Sequence, residues 1–165
     1  MDIRFNKVSD FKRGIISDLL SDAYSFDKSL VDSGISKWRK DDNFFFENIN
    51  IADNCGFITT LENNVIGLIF WDPRNMPEYA IIGDNCIITK YKGKGYGKLQ
   101  LQEAINRIIQ NGVKKVFVST GNGDGFIPAR RMYESIGFIK LDNSTLQPWQ
   151  IEQKQDIYYG MDIHT

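Results

Sequence analysis

The sequence predicts one α/β domain over residues 1–165, built as a single mixed β-sheet flanked by helices. Hydrophobic residues make up 42% of the chain and charged residues 25%, which is the composition of an ordinary globular domain. Segments with strand patterns alternate with segments of helical periodicity, and a layered α/β fold is what such an order favours. The predicted order of elements is β-α-α-β-β-β-α-β-α-β-β.

The first half of the chain is predicted to form a strand, two helices and a hairpin. Alternating apolar and polar residues predict the first strand, whereas apolar residues three and four positions apart predict the helices. Gly34 weakens the second helix, and Asn63-Asn64 suits the hairpin turn because asparagine tolerates a positive φ. The predicted elements are a strand at 3–5, helices over 10–24 and 28–48, and strands over 55–61 and 65–71.

Strands and helices alternate in the second half. The glycine of Gly83-Asp84-Asn85 interrupts a strand pattern, which is typical of a bulge or a splay. Asn111-Gly112 is a helix stop, and Pro128 suits the first turn of the last helix. The predicted elements are strands over 79–89, 114–120 and 155–163 and helices over 95–110 and 128–136.

Composition excludes several classes of partner. The net charge of −1 gives no overall field for binding nucleic acid or an anionic membrane. No run approaches eighteen apolar residues, so no membrane span is predicted, and the N-terminus has no apolar leader. Cys55 and Cys86 lie in apolar strand patterns and are interpreted as buried reduced thiols, which predicts a cytoplasmic protein.

Charge is divided unevenly between the two halves. Residues 1–84 hold 14 acidic and 9 basic side chains, whereas residues 85–165 hold 7 acidic and 11 basic ones. One interpretation is two solvated surfaces that happen to differ. The other is a cationic ligand near the first half and an anionic ligand near the second.

The most informative segment is the glycine loop, Tyr91–Lys98, which lies between a predicted strand and a predicted helix. Its three alternate glycines allow the backbone to approach a ligand closely. The helix that follows offers free N–H groups and the positive end of its dipole, which together favour phosphate or pyrophosphate. Four lysines surround the site: Lys90, Lys92, Lys94 and Lys98.

The spacing of these glycines excludes the common nucleotide loops. A Walker A loop needs G-x-x-x-x-G-K-[ST], and the dinucleotide fingerprint needs G-x-G-x-x-G early in a βαβ unit. The loop reads G-x-G-x-G and lies beyond the middle of the chain. A second glycine-rich run at 121–125 lacks the ligand spacing of a calcium loop.

Two sequence motifs, one after the other along the chain, give a family resemblance. Lys92-x-x-Gly95-x-Gly97 resembles the [RQ]-x-x-G-x-[GA] pyrophosphate loop of the GNAT superfamily of acyl-CoA-dependent N-acetyltransferases, with Lys in the first position. Ala129-x-x-x-Tyr133-Glu134-x-x-Gly137-Phe138 resembles that family's A-x-x-x-Y-E-x-x-G-F helix. The asparagine that often precedes the second motif is Phe126 here. The predicted element order matches the family along essentially the whole chain, which implies the GNAT sheet with a splay between its fourth and fifth strands.

The resemblance implies acetyl-CoA as the cosubstrate, and no metal is predicted because the sequence has no His/Cys cluster. The pyrophosphate would lie on backbone N–H groups of the loop, and the pantetheine arm would pair with the fourth strand. A backbone N–H near Ile88 would stabilise the oxyanion of the transition state. The implied cofactor-binding residues are Ile87, Ile88, Lys92, Gly93, Lys94, Gly95, Tyr96, Gly97 and Lys98.

Two side chains are predicted to carry the acid–base chemistry. Tyr133 is the candidate general acid for the CoA thiolate by its place in the second motif, although the spacing of Tyr133 with Met132 and Ile136 alone favours a core role. Asp84 is the candidate base that removes a proton from the amine, with Glu78 as an alternative, and either carboxylate could be an ordinary surface group. His164 is the single histidine, so a Ser-His-Asp site is not predicted.

The acceptor is predicted to be an amine of a small molecule or a peptide. Aromatic faces together with carboxylates suit a cation, although the aromatic residues of the second helix could equally pack onto the sheet. The candidate acceptor-binding residues are Phe26, Asp27, Trp38, Trp71 and Asp72. The sequence does not choose among classes of amine, and it leaves a homodimer open.

Three functions follow from these patterns. The first is an acetyl-CoA:amine N-acetyltransferase acting by direct attack of the amine on the thioester. The second is a non-catalytic acyl-CoA-binding sensor on the same fold, which Tyr133 argues against because a binder needs no acid there. The third is a nucleotide-binding regulatory domain, which the glycine spacing disfavours.

Overall fold

The computed structural model describes residues 1–142 and 156–163. Its strands are β1 Ile3–Asn6, β2 Gly56–Leu61, β3 Asn64–Asp72, β4 Ala80–Ile87, β5 Lys115–Thr120, β6 Ile139–Lys140 and β7 Ile157–Asp162. Its α-helices are α1 Ile15–Ala23, α2 Lys28–Glu47, α3 Ile49–Asn54, α4 Tyr96–Gln110 and α5 Ile127–Ile136. Short 3₁₀ turns precede α1, α4 and α5.

The strands form one mixed sheet in the order β1-β2-β3-β4-β5-β7-β6. β4 and β5 pair in parallel, and β5 pairs with β7 in the antiparallel direction. The parallel register covers Ala80 with Val116 and Ile81 with Phe117, whereas the β5–β7 register extends along all of Lys115–Thr120. The predicted α/β fold with a single mixed sheet is confirmed, and the short β4–β5 register agrees with the predicted splay.

The second predicted helix proves to be two helices. Asn48 has φ −127° and ψ 56°, which is outside the helical region and ends α2 before α3 begins. Gly34 does not interrupt α2. Its lack of a side chain leaves room for the indole of Trp38. A Cβ built at Gly34 would lie 2.5 Å from Cζ2 of Trp38.

Contacts divide the chain into two compact units, with boundaries that fall within β4 and α4. Unit 1 contains Met1–Trp71 and Asp84–Ala104, and unit 2 contains Asp72–Gly83 and the described residues from Ile105 onward. That all 165 residues form a single domain stays a prediction.

The core of unit 1 forms where α1 buries one face. Ile16, Leu19, Leu20 and Ala23 recur at helical spacing and are all buried, as the sequence periodicity requires. They pack in one cluster with Trp38 of α2 and with apolar residues of β2, β3 and β4. Burying each large aliphatic side chain contributes on the order of 2 kcal/mol, so this face fixes α1 in place.

Asp42 of α2 caps the N-terminus of α1. Its Oδ1 accepts a hydrogen bond from the Gly14 N–H at 2.8 Å, and its Oδ2 accepts from Ile16 at 2.9 Å and Ser17 at 3.1 Å. The first N–H groups of a helix have no partner within the helix, and a carboxylate there also complements the helix dipole. The carboxylate is 2% exposed, so α2 supplies the cap that the residues before α1 lack.

Unit 2 is organised around β5, β7 and α5. Val116, Val118 and Thr120 are buried on β5, and the intervening residues are less buried. The α5 helix ends at Gly137, whose φ of +115° lies in the left-handed region that glycine adopts without strain.

Candidate active site

The glycine loop opens directly onto the N-terminus of α4 in unit 1. Gly93 and Gly95 have φ of +75° and +89°, and a Cβ at either position would meet no atom within 4 Å. The Leu99 N–H donates to the Gly95 carbonyl, so Tyr96, Gly97 and Lys98 form the first turn, whose N–H groups have no acceptor within the helix. The loop is exposed at Lys92–Gly95, and this arrangement can receive an anion.

Lys92 is directed towards α1 and not towards the loop backbone. Its Nζ donates to the carbonyl of Ala23, the last residue of α1, and lies 4.7 Å from the ring centroid of Phe26. Partial burial lowers the pKa of Lys92, whereas the nearby Cys86 and Asp22 act in the opposite direction. Lys92 therefore joins the glycine loop to the end of α1.

A second set of bonds joins the same two segments. The Thr89 N–H donates to Oδ1 of Asp22 at 2.8 Å, and the Thr89 hydroxyl donates to the Asp22 carbonyl at 3.0 Å. The end of α1 is thus attached to the chain just before the glycine loop. Phe26, a candidate for acceptor binding, is 48% exposed beside this junction.

Asp84 lies in a cluster of charged residues with Lys37 and Asp41 of α2. Nζ of Lys37 is 2.6 Å from Oδ2 of Asp41. Burial raises the pKa of Asp84 to about 6, Lys37 opposes this shift, and Asp41 adds to it. A carboxyl that titrates near 6 is suited to accept a proton from an amine at neutral pH.

The main chain around Ile88 is partly committed to the sheet. The Ile88 N–H donates to the Ile66 carbonyl of β3 at 2.8 Å, and the predicted oxyanion donor near Ile88 stays a prediction. Successive residues of an extended strand direct their N–H groups to opposite edges, which makes the Ile87 N–H the alternative donor. The Ile87 side chain packs with Leu61 and Ile66.

Gln100 of α4 holds β3 and β4 beside the helix. It is fully buried, its Nε2 donates to the carbonyl of Leu68 at 2.7 Å and to Oδ1 of Asn85 at 2.8 Å, and its Oε1 accepts from the Thr59 hydroxyl at 2.7 Å. A Cβ at Gly67 would lie 2.9 Å from the Gln100 Oε1, so glycine is required for this close approach. Through these bonds Gln100 fixes the part of β4 that directly follows Asp84. The sequence patterns did not identify Gln100 as a functional residue.

Two of the candidate acceptor residues are core residues in the structure. Trp38 is 8% exposed and stacks on Tyr24 with ring centroids 5.5 Å apart. Trp71 is 5% exposed, and its backbone N–H donates to the Cys55 carbonyl at 2.8 Å. The packing interpretation of the α2 aromatics holds for Trp38, and acceptor binding by either tryptophan stays a prediction.

Three candidate carboxylates already have defined partners. Asp27 caps α2 by accepting from the N–H and the hydroxyl of Ser29, and these bonds lower the pKa of Asp27. Asp72, in unit 2, forms a two-point ion pair with Arg74, which lowers the pKa of Asp72. Glu78, the alternative base, faces solvent 3.6 Å from Lys114.

Tyr133 lies in unit 2 on the buried side of α5. It is 5% exposed and has ring contacts with Phe138 at 5.8 Å and Tyr159 at 5.9 Å. The Tyr159 hydroxyl donates to Glu134 at 2.9 Å, and burial with this bond raises the pKa of Tyr159 to about 12. Tyr133 therefore contributes to packing, and its role as an acid stays a prediction. His164 lies outside the described residues.

The single mixed sheet and the glycine loop at the start of α4 agree with the fold and the loop that the two sequence motifs imply. The sequence profile described as the Acetyltransferase (GNAT) family matches residues 16–138. This match covers most of the chain, and the chain belongs to the GNAT acetyltransferase family. No curated protein sequence matches it.

Solved structures agree with this fold. The PaiA N-acetyltransferase of Thermoplasma acidophilum, in complex with coenzyme A, is 14% identical with a TM-score of 0.75 over 99% of this chain and 100% of that one. A GNAT-family acetyltransferase of Staphylococcus aureus is 18% identical with a TM-score of 0.69 over 99% and 100%. N-acetylglutamate synthase of Neisseria gonorrhoeae, with coenzyme A and N-acetyl-glutamate, is 12% identical with a TM-score of 0.69 over 100% of this chain and 36% of that one.

The described residues contain neither a helix suited to span a membrane nor a group of side chains suited to bind a metal ion. None of the helices in residues 1–142 and 156–163 is long and apolar enough to cross a membrane. Within the same part of the chain, no three or more His, Cys, Asp or Glu side chains are grouped to hold a metal ion.

Proposed function

We propose that this protein transfers an acetyl group from acetyl-CoA to a primary amine of a small molecule or a peptide. The observation that supports it most is the exposed glycine loop at the start of α4 in a chain of the GNAT family. The N–H groups of the first turn and the positive end of the helix dipole favour the diphosphate of CoA. Buried free thiols at Cys55 and Cys86 support a reducing, cytoplasmic setting.

The reaction begins when the acceptor loses a proton. A primary amine is mostly an ammonium ion at neutral pH and cannot attack in that form. Asp84, with its pKa raised to about 6, is mostly ionised at pH 7 and accepts this proton directly or through a water molecule. The negative charge of Asp84 and Asp41 also attracts the ammonium to this position.

Acetyl transfer then follows by direct attack. The amine nitrogen forms a bond to the thioester carbon, and the carbonyl oxygen becomes an oxyanion that the Ile87 N–H stabilises. Asp84 first releases the proton it accepted to water; the C–S bond then breaks, the nitrogen loses its remaining extra proton to the ionised Asp84, and the CoA thiolate takes a proton. Tyr133 is proposed as the donor of that last proton from its place in the motif alone.

The first experiment tests the cofactor loop with a matched pair of variants. Gly95 and Gly112 both have a left-handed φ, of +89° and +76°, and both have open space at the Cβ position. Gly95→Asp and Gly112→Asp therefore share the backbone cost, about 1 kcal/mol, but only the first adds a negative charge to the proposed anion site. Calorimetry should show acetyl-CoA affinity at least about tenfold weaker for Gly95→Asp alone, since a nearby like charge costs over 1 kcal/mol. Equal affinities in the two variants would refute the site.

The second experiment separates an enzyme from a sensor. The protein is incubated with acetyl-CoA, a thiol reagent and a panel of amines, and release of CoA is measured. Turnover that falls about a hundredfold in Tyr133→Phe with unchanged CoA affinity supports transfer with Tyr133 as acid. Tight CoA binding without turnover on any amine supports the sensor function instead. Displacement of CoA by ATP or NAD would favour the nucleotide-binding alternative.

A further inference from the structure

We propose that Asn85 of β4 is a further cofactor-binding residue: its side-chain Nδ2, oriented by the buried Gln100, donates a hydrogen bond to an amide carbonyl of the acyl-CoA arm. This inference rests on the proposed function, because it concerns the same cofactor. Asn85 belongs to neither of the two sequence motifs, and its part in the site depends on contacts that only the fold creates.

The hydrogen bonds of Gln100 determine which way round the Asn85 amide lies. Nε2 of Gln100 is 2.7 Å from the Leu68 carbonyl oxygen and 3.2 Å from that of Cys86, and a carbonyl oxygen can only accept. The Gln100 group that meets them is therefore its NH₂ group, while its Oε1 accepts from the Thr59 hydroxyl at 2.7 Å. The Asn85 atom that lies 2.8 Å from the same Nε2 must be the acceptor Oδ1, so Nδ2 is directed away from Gln100.

The Nδ2 of Asn85 is a donor without an acceptor. Within residues 1–142 and 156–163, no group accepts a hydrogen bond from it, although its Oδ1 is fully engaged. Asn85 is half-buried on β4, and polar groups in such positions are normally paired with protein, water or a ligand. An oriented NH₂ group with both protons free therefore points to a ligand that brings its own acceptor oxygen.

Asn85 lies on the same side of the sheet as the proposed phosphate site. Successive side chains of a strand point to opposite faces: Cys86 packs in the cluster with α1, whereas Asn85 meets Gln100 of α4. Gln100 is four residues after Tyr96, the first residue of α4, which is about 6 Å along the helix axis. An acyl-CoA whose diphosphate binds at this first turn brings the start of its arm within reach of Asn85.

The chemistry of the arm matches this donor. The pantetheine arm of CoA contains two amide groups, and each offers an uncharged carbonyl oxygen that accepts hydrogen bonds. An uncharged NH₂ group pairs well with such an oxygen, whereas the lysines of the glycine loop supply charge for the phosphates. Asn85 therefore recognises the arm, and Gln100 acts through Asn85 as a positioning residue.

Calorimetry with matched ligands tests this assignment. Acetyl-CoA carries the arm, whereas 3′-phosphoadenosine 5′-diphosphate carries the same phosphates without the arm. Asn85→Ala should bind acetyl-CoA about fivefold more weakly than wild type, the effect of one hydrogen bond between uncharged groups, and should bind the fragment unchanged. CoA without an acetyl group should show the same loss, because the acceptor is not the thioester carbonyl. The variant should fold, since Gln100 keeps two carbonyl acceptors for its two Nε2 protons.

Further variants separate the donor from its support. Asn85→Asp keeps an oxygen for Gln100 but has no donor, so acetyl-CoA should lose its advantage over the fragment as it does in Asn85→Ala. Gln100→Leu frees the amide to rotate and should weaken acetyl-CoA binding in the wild type, but not further in Asn85→Ala. Additive effects of the two changes would show that Gln100 has a structural role only. Asn50→Ala, at an exposed asparagine of α3, is the control and should change neither affinity.

The outcomes keep this inference separate from the proposed function. Unchanged acetyl-CoA affinity in Asn85→Ala, an equal loss for the fragment, or a loss that CoA does not share would overturn the assignment of Asn85 and leave cofactor binding standing. If no amine is acetylated but Asn85→Ala still loses affinity for the arm, only the transfer reaction is refuted. A wild-type protein that binds neither acetyl-CoA nor the fragment would refute both.

Discussion

Replacing Gln100 by leucine tests whether one buried amide holds β3, β4 and α4 together. Leucine has nearly the same size and the same helix propensity, so the change removes hydrogen bonds without a large cavity. The bonds lost are those to the carbonyls of Leu68 and Cys86, to Asn85 and from the Thr59 hydroxyl. Thr59 is fully buried, so water cannot easily replace its partner.

The magnitude follows from these bonds. A buried polar group that loses its partner costs about 1–3 kcal/mol, and the Gln100 amide has four such partners. Burial of the leucine methyl groups returns about 1–2 kcal/mol, which leaves an expected loss of about 3 kcal/mol. With a urea m-value of about 2 kcal/mol/M, the midpoint of unfolding should fall by about 1.5 M.

Urea unfolding of two variants distinguishes this explanation from a general effect of leucine on α4. Gln102 is exposed on the same helix, and Gln102→Leu should change the unfolding free energy by less than about 0.5 kcal/mol. A loss below about 1 kcal/mol in Gln100→Leu, or a similar loss in Gln102→Leu, would show that the Gln100 bonds do not hold the strands.

Three further changes have expected outcomes. Gly34→Ala gains about 1 kcal/mol of helix propensity but places a Cβ 2.5 Å from the Trp38 indole. We therefore expect a net loss of stability and a changed near-UV circular dichroism spectrum. A stabilised variant would contradict this expectation. Because the pKa of Asp84 is raised to about 6, its contribution to stability is complete below pH 4 and is lost as the pH rises through 6. In urea unfolding, Asp84→Asn should therefore be more stable than wild type by about 2 kcal/mol at pH 8, and by less at pH 4. A larger difference at pH 4 than at pH 8 would refute the raised pKa of Asp84. Lys92→Ala removes the bond to the Ala23 carbonyl and should cost about 1 kcal/mol of stability. Calorimetry should show a smaller loss of CoA affinity in Lys92→Ala than in Gly95→Asp. An equal loss of affinity would show that Lys92 binds the phosphates.

The sequence predicts the fold and the position of the glycine loop before α4 because both depend on local patterns. Helical and strand periodicity follow from neighbouring residues, and the loop motif is contiguous from Lys92 to Gly97. The boundary between α2 and α3 was missed because the segment after Asn48 keeps a helix-like composition, while the break is a backbone conformation.

The charged cluster could not be predicted because it joins distant parts of the chain. Lys37 and Asp41 have the spacing of an ordinary solvated pair on a helix, the same as Lys28 and Asp32. Only the packing of α2 beside β4 brings Asp41 to Asp84. A buried glutamine such as Gln100 is equally hidden, since glutamine on a helix is usually exposed.

The cap that Asp42 provides makes the first two helices interdependent. The amides at the start of α1 are stabilised by a carboxylate more than twenty residues later in the chain, so α1 gains its N-terminal bonds only after α2 has formed beside it. Local opening of α2 would therefore release the start of α1 as well, and the two helices should exchange their amide hydrogens as one cooperative segment. Sequence variation is then most easily accommodated in the connection between the two helices, around Phe26.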